Sequence, residues 1–361
     1  MRAIRLVPCV FAGLLVSMSA AFGAEWGLKE GTPELKSAGA LAFGPDGILF
    51  VGDAKGATVF ALGTGDTKGD PSKVQINVSY LNAQVAETLG VNADKITIND
   101  LAVNPLTGNV FLSVSKAGSA AVVKVAADGK LSQVSLAKVA FQKVELPNAP
   151  EDKEVATKRG PANLRGQSIT DIAYAEGKVY VSGVAGGSLS NVREIPFPFT
   201  DANAGTNVEI YHAAHAQVEG NAVVRTFLPI NIDGEASLLA GFTCTPLVKF
   251  PINTLKAGEK TRGTTVAELG NRNQPLDMIV YQKEGKTFLL MSNNNRGVMK
   301  ITTEGLTKNP GLTEPVKGGG VAGQSYETIE ELEGVVQLDK LNSTHAVIVT
   351  SSFELRTVAL P

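Results

Sequence analysis

Cysteine is nearly absent from this chain. There are 2 in 361 residues. Cys9 falls in an N-terminal stretch that reads as a removable leader, so the mature chain keeps only Cys244 and cannot form an internal disulfide. Stability must come from packing. Charge is scarce too. The 33 Lys and Arg nearly balance 35 Asp and Glu, for a net −2, and no basic field exists to draw nucleic acid or anionic lipid. With 3 histidines, a Ser-His-Asp triad would have to use His212, His215 or His345. GxSxG, CxxCH, HExxH and a phosphate-binding glycine loop are all missing. Beyond the leader no apolar run is long enough to suggest a membrane span.

The leader itself has a basic start (Arg2, Arg5), an apolar stretch over 6–20, and small residues at Ala21 and Gly23. Cleavage after Gly23 is expected. It divides the chain into a signal peptide, 1–23, and a single domain, 24–361, and takes the net charge from −2 to −4. The expected mature protein is soluble and exported, periplasmic or secreted, with no membrane insertion.

What is present is a repeated phrase of apolar strand, turn, apolar strand, loop and third strand. It occurs at 40–62, 100–125, 171–195, 277–301 and 334–360, with a weaker copy at 227–250. Period-two alternation (Val110, Leu112 and Val114 against Phe111, Ser113 and Ser115) marks strands. Turn residues such as Glu176-Gly177, Asp233-Gly234 and Glu284-Gly285 punctuate them. Such a unit cannot bury its faces alone, so six copies predict an all-β fold, a six-bladed β-propeller. Fourth strands are expected at 74–81, 131–136, 207–211 and 264–268. The last unit ends after its third strand, and 25–35 has no blade of its own. This predicts a ring closed by that N-terminal segment joining the last blade. Residues 82–90 read as a short helix stopped by Gly90, and 147–166 and 316–333 as loops.

The phrase DLAVNPLTGNVFLSV (100–114) resembles the blade motif of six-bladed propellers of the NHL, SMP-30 and TolB-like group. The resemblance spans about 40–360 and implies a fold, not an activity, since that group includes calcium-dependent lactonases and esterases, sugar or peptide binders and protein-interaction platforms.

Three clusters fall on the expected loop-rich face. Asp100, Asp171 and Asp277 each open an inner strand. Three carboxylates round a channel mouth suit a hard cation such as Ca2+; equally, each suits capping of its own blade's backbone N–H groups. A calcium site would imply a lactonase- or esterase-like hydrolase. Arg165, Asn271, Arg272, Asn273, Asn294 and Arg296 suit a ligand rich in hydroxyls or carboxylates, or, for the asparagines, turns of unusual dihedral. His212, His215 and Cys244 combine into a copper or zinc ligand set, provided a turn at Ala213-Ala214 brings both imidazoles to one side. A buried inert thiol is the alternative. The leading expectation is an exported propeller binding a small molecule, glycan or protein on that face.

Overall fold

The computed structural model describes residues 26–157 and 160–361; the expected leader, 1–23, lies outside them. The repeats become six antiparallel sheets, numbered I to VI by chain order of their inner strands. Blade I has Leu41–Phe43, Ile48–Asp53 and Thr58–Gly63; blade II has Ile96–Val103, Val110–Lys116, Ser119–Val125 and Leu131–Gln133. Blade III has Asp171–Ala175, Lys178–Ala185, Leu189–Pro196 and Thr206–His212; blade IV has Val224–Ile232, Glu235–Phe242, Pro246–Pro251 and Thr264–Leu269. Blade V begins Pro275–Lys283, Lys286–Asn293 and Val298–Thr302, and blade VI has Val335–Lys340, His345–Thr350 and Leu355–Ala359. Inner hairpins turn through paired left-handed residues, such as Glu176 (φ 50°) and Gly177 (φ 75°), whose twist matches that of the flanking strands.

The order of blades round the axis is not the order in the chain. Six apolar clusters fill six interfaces, and they join I to III, III to IV, IV to V, V to VI, VI to II and II to I. Blade II thus sits between VI and I. The chain leaves blade I after its third strand, builds blade II on one side of it, and returns with Val139–Glu145 as blade I's fourth strand.

This route overturns the expected closure. The described part of 25–35, from residue 26 on, does not reach the last blade; Lys29–Gly31 pairs with Val139–Glu145 as a fifth strand of blade I. Nor do 74–81 complete blade I. Asn77–Val78 pairs with Leu355 and Arg356 and supplies the outer strand of blade VI. The reason is spatial. After Gly63 the chain crosses blade II, where Asp66 accepts from Asn104 and Asn109, reaches the open edge of blade VI and only then turns back to build blade II; any short extended segment can donate to such an edge. The expected fourth strands of blades II, III and IV are found at Leu131–Gln133, Thr206–His212 and Thr264–Leu269. The helix α1 spans Leu81–Leu89, with Gly90 left-handed at its end. Residues 316–333 are more than a loop: Val321–Gly323 extends blade IV and Tyr326–Ile329 is the fourth strand of blade V. The 147–166 insert carries a hairpin, Glu154–Thr157 with Gly160–Asn163. Among the described residues no helix is long and apolar enough to cross a membrane.

Candidate metal centre

Inner strands of blades II, IV, V and VI share a register irregularity one residue before the position that points into the channel. A bulge there re-aims the following side chain, and those side chains are Asp100, Thr226, Asp277 and Gln337. With Asp171 they line a cavity of about 80 Å³ at the axis. The aspartates are clasps. Asp100 accepts from Leu101 N–H (2.8 Å) on its own strand and from Leu41 N–H (2.7 Å) on blade I. Asp171 accepts from Ile172 (2.7 Å) and Phe227 (2.8 Å), and Asp277 from Met278 (2.8 Å) and Leu338 (2.9 Å). Each therefore joins its blade to the next in the ring. A fourth, Asp339, missed in the sequence because it lies deeper in its strand, accepts from Lys340 and from Val103 of blade II.

Burial raises all four carboxyls. Asp171 is pushed up to about 7 and Asp339 to about 6. Burial first, then the charges of Asp277 and Asp171, hold Asp100 well above the usual carboxylate range, and burial with the charges of Asp171 and Asp339 does the same for Asp277.

Arg165 is spent on carbonyls, donating from Nε to Lys55, Nη1 to Pro150 and Nη2 to Gly56, which ties the insert to blade I. Asn273 is buried and bonded to Asn293 and to the Asn295 N–H; Asn294 accepts from the Gln274 N–H. These asparagines hold two loops of blade V together. Asn271, Arg272, Asn295 and Arg296 remain at the surface and line a cavity of about 410 Å³.

Among the described residues, one group of three metal-ligand side chains converges so that its ligand atoms all lie within 4.8 Å: His212, His215 and Cys244. The turn that they need is present. Thr206–His212 ends at His212, a single 3-10 turn covers Ala213–His215, and Ala216 closes it in the left-handed region. The chain then doubles back as Gln217–Glu219, opposite Ile210–His212. This return places Glu219 beneath both rings. Its Oε2 meets His212 Nδ1 at 3.1 Å and its Oε1 meets His215 Nδ1 at 2.8 Å, and the ring centroids lie 3.8 Å apart. Burial would raise the Glu219 carboxyl, but hydrogen bonds from His212, His215 and Gln217 outweigh it and bring it down to about 2. A carboxylate on the Nδ1 side of both rings is the partner that metal-bound histidine commonly has, with Nε2 as the ligand atom. His212 is buried and its Nε2 has no hydrogen-bond partner.

Cys244 comes from the loop between the second and third strands of blade IV, so the group straddles the III–IV interface. Cys244 (φ 67°) and Thr245 (φ 57°) are consecutive left-handed residues without a glycine, a conformation costing about 1–3 kcal/mol each. Four bonds hold it: Cys244 N–H to Asn273 O, Thr245 N–H to Phe242 O, Leu269 N–H to Thr245 O, and Thr245 Oγ1 to Gly270 O. Asn273, whose carbonyl takes the Cys244 N–H, follows Arg272 of the arginine-lined cavity in the chain.

Two acidic residues at this centre escaped sequence reasoning. Glu219 had a legible signal in the spacing His212-x2-His215-x3-Glu219. Glu268 had none. It sits in the fourth strand of blade IV and is fully buried. Its Oε1 accepts from Ala214 N–H (3.2 Å), while Oε2 has no hydrogen-bond partner and lies 4.0 Å from His212 Nε2.

No family model matches the chain, and no curated protein matches it. Among solved structures it is similar to streptogramin B lyase, at 9% identity over 93% of this chain and 99% of that one, with a TM-score of 0.35. It is similar to a gluconolactonase from Xanthomonas campestris, at 12% identity over 95% and 93%, TM-score 0.34. It is also similar to the plexin A4 extracellular region, at 10% identity over 93% of this chain and 40% of that one, TM-score 0.44. The likeness to NHL, SMP-30 and TolB-like propellers is one of fold alone.

Proposed function

We propose that the protein is an exported propeller that holds a transition metal, copper or zinc, at His212, His215 and Cys244 on its loop-rich face. The observation that carries this reading is the convergence of His212, His215 and Cys244, whose ligand atoms all lie within 4.8 Å of one another, with one carboxylate, Glu219, bonded to both Nδ1 atoms. Two nitrogens and a thiolate suit copper and zinc and poorly suit calcium or magnesium. Export rests on the leader at 1–23. The cavity with Arg272 and Arg296 at its wall supports the binding of a small molecule, glycan or protein. The central aspartates offer less to a hydrolase, since both oxygens of each already serve backbone N–H groups.

Copper titration with equilibrium dialysis and visible spectroscopy tests the centre. One equivalent should bind with a thiolate-to-copper absorption band. Cys244→Ser should abolish the band, and Glu219→Gln should weaken binding by about 10–100-fold, the usual cost of losing such a carboxylate. Wild-type protein that takes up no more metal than Cys244→Ser, and shows no band, would refute the reading.

A further inference from the structure

We propose that Glu268 is a fourth ligand of this centre, so that the metal is held by two nitrogens, one sulfur and one carboxylate oxygen between blades III and IV. The inference rests on the preceding reading and deepens it. Glu268 Oε2 and His212 Nε2 are both buried, both lack a hydrogen-bond partner, and face each other at 4.0 Å. That is beyond hydrogen-bond range. His212 Nδ1 meets Glu219, so Nε2 is the ring atom left without a partner, and it faces an equally unpartnered carboxylate oxygen in the buried III–IV interface. Two buried polar atoms without partners are costly, and a cation bound between them satisfies both.

The span fits a cation. Zinc bonds to histidine and carboxylate of about 2.0–2.2 Å reach across at most about 4.3 Å, and a tetrahedral angle sets the two donors about 3.4 Å apart. A closure of about 0.6 Å brings this pair there, and full coordination further requires Glu268 to turn toward His215 and Cys244, whose ligand atoms already lie within 4.8 Å of each other and of His212. Among the direct ligands, one thiolate and one carboxylate balance a divalent cation, while Glu219 keeps its own partners in His212, His215 and Gln217. The other Glu268 oxygen holds the Ala214 N–H inside the turn that carries both histidines. The same side chain thus shapes the turn and faces the metal position.

The discriminating variant is Glu268→Gln, which keeps an acceptor for the Ala214 N–H and nearly the same volume but replaces a carboxylate by a poor ligand. Cobalt(II) is the probe, with affinity read by competition with zinc and geometry by d–d absorption. Wild type should bind one equivalent with intense tetrahedral bands. Glu268→Gln should bind at least 10-fold more weakly with shifted bands, while the metal-free variant unfolds at the wild-type temperature or above it. Equal affinity and identical bands in the variant would overturn the Glu268 assignment and leave the three-ligand centre standing. Failure of wild type to bind cobalt, zinc or copper would overturn both. Should the variant not fold, the anomalous peak of a cobalt-soaked wild-type crystal decides: within about 2.3 Å of Oε2 supports coordination, and beyond about 3 Å refutes it.

Discussion

Replacing Asp171 by alanine should destabilise the ring more at pH 5 than at pH 8. The side chain accepts from Ile172 N–H at 2.7 Å and Phe227 N–H at 2.8 Å, and both residues are buried. Removing it orphans two buried donors at about 1–3 kcal/mol each, hence about 2–6 kcal/mol in all. The pH dependence follows from burial, which pushes this carboxyl from 3.8 up to about 7. A carboxyl raised on folding stabilises the native state fully below its unfolded value and loses that contribution as pH climbs through the folded one. Wild type should therefore lose about 3 kcal/mol from this group between pH 5 and pH 8, at about 1.4 kcal/mol per pH step. Asp171→Ala carries no such group, so the gap between the two proteins narrows by that amount at pH 8. Relief of Asp100 and Asp277, which feel the Asp171 charge, acts in the same direction. Urea unfolding of both proteins at the two pH values measures the gap. A gap that widens at pH 8 would mean that the charged carboxylate, and not the hydrogen-bonded clasp, holds blades III and IV together, and would refute this account.

Two further substitutions probe the frame. Arg193 is fully buried, its Nη2 donates to Pro147 O at 2.9 Å, and Nε and Nη1 have no hydrogen-bond partner; burial lowers it to about 10. Arg193→Met should be neutral or stabilising by about 1–4 kcal/mol in thermal unfolding, and a clear loss of stability would contradict that. Leu355 is fully buried between blades VI and II and pairs with Val78 at the closure. Leu355→Ala should cost about 2–5 kcal/mol and admit proteases near 64–80; a cost under about 1 kcal/mol would show that the ring does not depend on this seam.

The blades themselves were legible because their cause is local. Alternation such as that of Val110, Leu112 and Val114, with left-handed turns such as Glu176-Gly177, dictates hairpins whose two faces both need covering, and six such units close a ring. The order of the ring was not legible. Blade edges recruit partners through backbone N–H and C=O groups, which every residue but proline carries alike, so nothing marked Asn77–Val78 for blade VI or Val139–Glu145 for blade I. The same division runs through the candidate centre. The types and spacing of His212, His215 and Cys244 pointed to a metal, but only the return at Ala216 set Glu219 under both rings, and only the packing of blade IV on blade III brought Glu268 to His212. Local side-chain pattern determined the units; the pairing of edges and the meeting of distant loops, which depend on shape and not on any residue's identity, were decided by the assembled ring.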